Sequence, residues 1–404
     1  MPRSTPSPHA AESKGNVNPE SPETNGAIRT RLSRVDGQAG ELVIGGYRLE
    51  DLAPQATFEE VVFLLWNDRL PNSAELVQLR GSLAEERALS PRARQGIEVA
   101  VERGVGPMDA LRLAVETQVL DGPSEASETR ESWWQQALRM VARMPLLVAA
   151  YARLRRGQEP ADPPADLGHA AAYLYALQGS PADPEAIRAL ETYFNSVIDH
   201  GLNASTLAAR VVASTHSDMI AAVAAALAAL KGPLHGGAPG PALDMMREVE
   251  RRQVASGRSL EAETEDYVRQ TVAAGGRLMG FGHRIYKVRD PRADVLSRAA
   301  EQLAVDPQRA DFLRRAKAIE QVTLRVLEEL KPGRNLRTNV EFYTAMLLEC
   351  LGLPSELFTP TFAVARVAGW TAHILEQRFE GRLIRPQEEY VGPSPRAWVP
   401  LEAR

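Results

Sequence analysis

Residues 205–237 read STLAARVVASTHSDMIAAVAAALAALKGPLHGG. From Ser205 to Leu230 there is neither proline nor glycine, and the spacing predicts one long helix over 205–230. Its second half, Ala221 to Leu230, is apolar all round, so it is expected to be buried in a core or against another subunit. Alanine permits close backbone approach, which favours a helix–helix or dimer contact. Lys231 to Gly237 then breaks the helix and places one histidine, His235, in the turn.

The helical period extends in both directions. Phe58 to Trp66 is amphipathic behind Thr57, a suitable N-cap, and stops near Leu70-Pro71. Helices are predicted over 73–89, 91–104, 107–119, 130–155, 168–178 and 183–199, with a proline-rich loop from Gly157 to Asp166. After the turn they resume over 241–255, 261–274, 292–304, 308–330, 340–351 and 361–379. Only Leu32 to Val35 and Glu41 to Ile44, flanking the turn Asp36 to Gly40, read as strands. The fold class is all-α with a minor N-terminal β-hairpin.

Composition narrows the function. Among 404 residues, 47 Lys and Arg face 52 Asp and Glu, a net charge of −5 that lacks the basic excess of a nucleic-acid-binding chain. Hydrophobic residues at 44% and charged residues at 25% suit a soluble domain with a sizeable core. A single cysteine, Cys350, excludes a disulfide framework and a multi-thiolate metal site, and fits a reducing, cytoplasmic setting. The longest apolar run, Met219 to Leu230, is well short of the ~20 residues a membrane span needs. Residues 1–26 contain five prolines and no apolar core, and read as a disordered tail, not a secretory signal.

Three segments place polar residues in glycine-rich or apolar surroundings. With a new helix starting at about Pro241, His235 is expected near a helix N-terminus, whose partial positive charge disfavours imidazolium. A neutral imidazole there could donate to a developing oxyanion. In Gly280 to Arg292, two glycines let the backbone approach a ligand, His283 follows, and Arg284, Lys287, Arg289 and Arg292 suit carboxylates or phosphates. Five cations between Gly275 and Arg292 face only Asp290. Glu341 opens an otherwise apolar helix, so its carboxylate is suited to act as a partly desolvated base. Taken singly, each segment has a plainer reading as a turn histidine, a solvated basic loop or a first-turn acid. Together they suggest proton abstraction beside a carbonyl on an anionic substrate. No H-x-x-x-H, H-E-x-x-H or cysteine cluster suggests a metal.

Eight collinear segments resemble the citrate synthase family. They are VDGQAGELVIGGYRLEDLA (35–53), FEEVVFLLWNDRLP (58–71), DHGLNASTLAARVVAST (199–215), ALKGPLHGGA (229–238), GFGHRIYKVRDPRAD (280–294), NVEFY (339–343), FTPTFAVARVAGWTAHILEQR (358–378) and GRLIRPQEEYVGP (381–393). The similarity spans roughly 28–395. It implies that His235 hydrogen-bonds the thioester oxygen of acetyl-CoA, Glu341 removes a methyl proton, and His283 polarises the ketone of oxaloacetate. It further implies that His200, Arg292 and Arg366 bind substrate carboxylates, with Arg385 reaching in from the second subunit of a homodimer. Leu278, Met279, Gly280, Phe281 and Gly282 would contact the adenine of CoA, and Lys287 its phosphates. No metal or redox cofactor is implied, CoA thioester being a substrate. The family's organisation would give a large domain from 27–237 and 351–404, with a small domain at 238–350 that closes over the substrate.

Three departures stand out. Glu341 replaces the usual aspartate, Ala238 to Pro241 replaces the commoner Ala-Asn-Glu, and Arg337-Thr338 stands where Tyr-Pro is frequent. The competing readings are a 2-methylcitrate synthase using propionyl-CoA and a non-catalytic CoA- or citrate-binding paralogue. His9, His169, His216, His373, Cys350 and the Trp133-Trp134 pair are expected to be structural or irrelevant.

Overall fold

The computed structural model describes residues 28–121, 128–282, 285–286 and 288–404. Three short antiparallel strands come first: β1 (Ser33–Asp36), β2 (Glu41–Ile44) and β3 (Tyr47–Arg48), in the order β1-β2-β3. The predicted hairpin is there, with Ser33 opposite Ile44 and Asp36 opposite Glu41, and β3 extends it. Asp36 Oδ1 closes the turn by accepting from the Gln38 and Ala39 amides, both at 2.9 Å.

Among the described residues, everything else regular is helical. The first half holds α1 (Leu49–Leu52), α2 (Phe58–Asn67), α3 (Ser73–Glu85), α4 (Pro91–Glu102), α5 (Pro107–Glu116), α6 (Arg130–Leu154), α7 (His169–Gln178) and α8 (Pro184–Val197). The second half holds α9 (Ala204–Ser214), α10 (Met219–Leu230), α11 (Pro239–Ser256), α12 (Leu260–Ala273), α13 (Pro291–Gln302), α14 (Pro307–Leu330), α15 (Val340–Cys350) and α16 (Phe358–Glu380). Caps set many of the boundaries. Thr57 and Glu60 form a reciprocal capping box on α2, and Ser90, Thr129, Ser259 and Asn339 cap their helices through side-chain oxygens.

The predicted helix over 205–230 is two helices. It breaks at Thr215–Asp218 because the local side chains offer the backbone other partners. The Ser214 and Thr215 hydroxyls donate back to the Val211 and Val212 carbonyls at 2.7 Å, and Asp218 Oδ1 accepts from the Ala221 amide at 2.8 Å to start α10 afresh. His216 takes a left-handed φ of +67° in the gap. Nor is α10 enclosed on all sides. Met219, Ala222, Val223, Ala226, Leu227 and Leu230 are buried against α5, α9 and α16, while Ala228 is exposed.

α16 is the axis of the core, buried along nearly its whole length and touching α2, α5, α6, α8, α9, α10 and α11. At Gly369 it passes so close to the end of α8 that an added Cβ would lie 2.2 Å from the Ile198 carbonyl oxygen. Residues Thr30–Ile384 form one compact unit; Ile28, Arg29 and Arg385–Arg404 belong to another. Among the described residues no helix is long and apolar enough to cross a membrane.

Of the residues expected to be structural, His169, Cys350 and the Trp133-Trp134 pair are packed into the fold, whereas His216 is exposed and lies between helices. His169 is fully buried and stacks on Phe58 with ring centroids 4.5 Å apart, and burial and Arg87 lower its imidazole to about 3. Cys350 and Trp133 are buried, and Trp134 packs edge-on against Trp66. His9 lies outside the described residues.

Candidate active site

His235 lies in the turn between α10 and α11, yet the helix N-terminus that addresses it is that of α9. Asn203 caps α9, and the Ser205 amide donates to His235 Nε2 from 3.3 Å. The Ser205 hydroxyl stands 2.8 Å from the same nitrogen. An amide can only donate, so Nε2 carries the lone pair and the ring proton sits on Nδ1, free of this contact. Burial, with Arg366 adding repulsion, lowers His235 to about 4, so the imidazole is neutral at ordinary pH. Trp370 on α16 fixes the serine by donating Nε1–H to its hydroxyl at 3.1 Å. No local pattern in the sequence singles out Ser205 or Trp370, although both lie in segments that resemble the family.

Glu341 is the second residue of α15, whose N-cap Asn339 accepts the Glu341 amide at 3.0 Å. Burial pushes its carboxyl up to about 7; Arg292 opposes the rise, Asp290 adds to it, and Arg366 opposes it. This carboxylate therefore titrates near neutrality, as a general base requires.

Of the three arginines expected to bind carboxylates, Arg292 and Arg366 are buried. Arg292, at the start of α13, gives Nε and Nη2 to the Asp290 carboxylate at 3.0 and 2.7 Å. Arg366, midway along α16, gives Nε to the Val197 carbonyl at 2.5 Å, and burial lowers it to about 10. It still carries its charge at neutral pH. His200 is buried and meets the Tyr286 hydroxyl at 3.1 Å, while Tyr286 lies under the Arg292 guanidinium, 5.9 Å from ring centroid to Cζ. Glu341, Arg292, Arg366, His235 and, through Tyr286, His200 are thus one electrostatic neighbourhood. Tyr193 on α8 joins it: fully buried, its hydroxyl has no hydrogen-bond partner among the described residues, and its charge neighbours include Glu341, Arg366 and Arg292.

Behind His200 lies a buried relay. Asp199 accepts from His373 Nε2 at 3.1 Å, and His373 Nδ1 faces Arg210 Nη1 at 3.0 Å. Arginine only donates, so the His373 proton is on Nε2 and points at Asp199. Arg210 in turn pairs with Glu376 at 2.5 Å. Burial raises the Asp199 carboxyl, but the His373 contacts, Arg366 and Ser33 outweigh it and hold it below the usual range.

The glycine loop takes an unforeseen form. Gly280 and Gly282 have φ of +88° and +79°, and the segment pairs with 337–339 as a miniature antiparallel bridge, Phe281 opposite Thr338. Gly282 N donates to Arg337 O at 2.7 Å, Asn339 N to Gly280 O at 3.0 Å, and Asn339 Nδ2 to Gly282 O at 2.8 Å. Leu278 is buried beneath, with Met279 and Phe281 packed on the core. A cavity of about 260 Å³ opens where this loop meets Gly333–Thr338, its wall including Tyr286, Asp290, Arg334 and Arg337. His283 and Lys287 lie outside the described residues. Arg385 is exposed, in the terminal unit. Among the described residues no group of three or more His, Cys, Asp or Glu side chains could hold a metal ion.

A family model, the citrate synthase C-terminal domain, matches residues 23–387. The chain belongs to the citrate synthase family. It is 38% identical over 359 residues to citrate synthase 2 of Bacillus subtilis, covering 89% of this chain and 92% of that one. It is also 34% identical over 363 residues to a Mycobacterium tuberculosis 2-methylcitrate synthase, covering 90% and 88%. Among solved structures, the ternary complex of carboxymethyl coenzyme A and oxaloacetate with the Thermoplasma acidophilum citrate synthase superposes with a TM-score of 0.81 at 31% identity, covering 93% and 96%. Membership of this family makes the chain a transferase-type enzyme with the family's all-α fold.

Proposed function

We propose that the enzyme condenses acetyl-CoA with oxaloacetate and hydrolyses the resulting citryl-CoA to citrate and CoA. The observation that carries this reading is the pairing of a carboxylate near pKa 7 with a neutral imidazole around two buried arginines. Glu341 takes a proton from the acetyl methyl group as His235 Nδ1–H donates to the thioester oxygen, so enolate charge is met by a hydrogen bond instead of a free cation. The enol carbon attacks the oxaloacetate ketone, which His283 polarises, and water then cleaves the thioester. Arg292, Arg366 and His200 hold the dicarboxylate, and Arg385 of a second copy completes the site.

Leu278 to Gly282 contact the adenine of CoA and the basic cavity rim of Arg334 and Arg337 receives its phosphates, a role the family resemblance also gives Lys287. The chemistry needs only a base, a hydrogen-bond donor and anion-binding groups, so neither a metal nor a redox cofactor is part of the proposal. Turnover is expected to survive a chelator unchanged. The accessible side of α10 and the half-exposed Leu207 and Val211 on α9, each 39% exposed, support a homodimer covering that face. Residues 238–350 act as the small, closing domain, the rest of the fold as the large one, in a cytoplasmic enzyme.

Supplying acetyl-CoA and oxaloacetate with a thiol reagent tests the reading. CoA release above background is expected, and its absence would sink the proposal. The named 2-methylcitrate synthase relative favours propionyl-CoA as a second candidate. One methylene is worth only ~1–3 kcal/mol, so the ratio of kcat/KM for the two acyl-CoAs separates them.

A further inference from the structure

Glu320 lies midway along α14, only 6% exposed, and the chemistry above does not use it. Each of its carboxylate oxygens accepts a hydroxyl. Thr338 Oγ1 donates to Oε1 at 2.5 Å and Tyr343 donates to Oε2 at 2.6 Å. These two donors bracket Glu341: Thr338 precedes the Asn339 cap of α15, and Tyr343 sits in its first turn. Arg289 closes a third side. Its Nη1 is 3.8 Å from Glu320 Oε1, its Nη2 is 3.5 Å from the Tyr343 hydroxyl, and its Cζ lies 5.8 Å from the Tyr343 ring centroid.

A buried carboxylate is costly unless fully engaged, and this one spends its acceptors on the two residues that flank the base. Thr338 is also a point where the chain departs from the family pattern: the proline frequent there has no hydroxyl to give Glu320. Glutamate at 341 has one more rotatable bond than aspartate, so the turn that carries it must be held firmly for its carboxylate to be well placed. The geometry points to Glu320 as a positioning residue that clamps the 338–343 turn through Thr338 and Tyr343, ties it to Arg289, and so fixes Glu341. This rests on the reading of Glu341 as the base.

The test is steady-state kinetics on the full chain carrying Glu320→Gln, Tyr343→Phe, Thr338→Val or Thr338→Ser, and Glu320→Gln combined with Glu341→Gln. Glu320→Gln, Tyr343→Phe and Thr338→Val should each lower kcat about 10- to 100-fold, the scale of a small misplacement of a reacting group. KM for oxaloacetate should stay within about twofold, since ground-state binding is untouched. Thr338→Ser keeps the hydroxyl and should recover most of the kcat that Thr338→Val loses. In the Glu341→Gln background, Glu320→Gln should add no further loss. Unchanged kcat in Thr338→Val, equal losses in Thr338→Val and Thr338→Ser, or losses that multiply in the double variant would each overturn the clamp. The Thr338 pair decides the matter even where Glu320→Gln does not fold. Full turnover by Glu341→Gln alone would instead remove Glu341 as the base, a result read separately from the Glu320 series.

Discussion

Burial acts on Glu341 and His235 in opposite directions because it penalises whichever form is charged. It raises the carboxyl to about 7 and lowers the imidazole to about 4. The base must be ionised and the donor neutral, so of these two groups Glu341 is the one that titrates near neutrality. The kcat/KM for acetyl-CoA is therefore expected to be level above about pH 8 and to fall towards tenfold per pH unit on the acid side of the Glu341 midpoint. No second limb from His235 should appear above about pH 5, because that group is already deprotonated there. A profile level from pH 5 to 8 would contradict the Glu341 assignment. The residues themselves were legible in the sequence as polar groups in apolar or glycine-rich settings. The source of the His235 effect was not: the sequence points to the helix that follows it, whereas burial and Arg366 lower the imidazole, and the amide that meets Nε2 comes from the N-terminus of α9.

At the scale of elements, helices were legible because periodicity and caps act over a few residues. The break between α9 and α10 was missed because alanine content masked the Ser-Thr hydroxyls and the Asp218 cap that compete with the helix. Close approach between elements leaves a weaker trace, often a single glycine. At Gly369 a methyl group would meet the Ile198 carbonyl oxygen at 2.2 Å, and that carbonyl belongs to the residue before Asp199 and His200. Gly369→Ala should cost about 1–3 kcal/mol, the usual penalty of overpacking, read as a lower urea midpoint. It should also raise KM for oxaloacetate by displacing His200. An unaltered midpoint and KM would show that α16 and the end of α8 can separate freely.

For the whole molecule, net charge excluded polyanion binding but did not describe the site. The basic run before Arg292 is partly neutralised within the fold: Arg289 pairs with Asp294 at 2.5 Å and Arg292 with Asp290 at 2.7 Å. What matters is which cations are buried beside Glu341, and those are Arg292 and Arg366, 74 positions apart in the chain. The proposed shared site makes one further prediction. Arg385→Ala should reduce kcat/KM for oxaloacetate by about 10- to 100-fold, the value of a lost charged hydrogen bond, with the dimer intact by sedimentation. A dimer with unchanged kinetics would remove Arg385 from the site.

The sequence by itself determined the all-α class, most helix boundaries and the hairpin, because each depends on interactions between near neighbours along the chain. Only the tertiary structure decided the company of the chemical groups. The Ser205 contact to His235, the Val197 carbonyl under Arg366, the Asp199–His373 relay and the Glu320 clamp join residues 30, 169, 174 and up to 23 positions apart. Such contacts depend on how helices pack, and no local pattern of residues encodes which distant side chain will arrive.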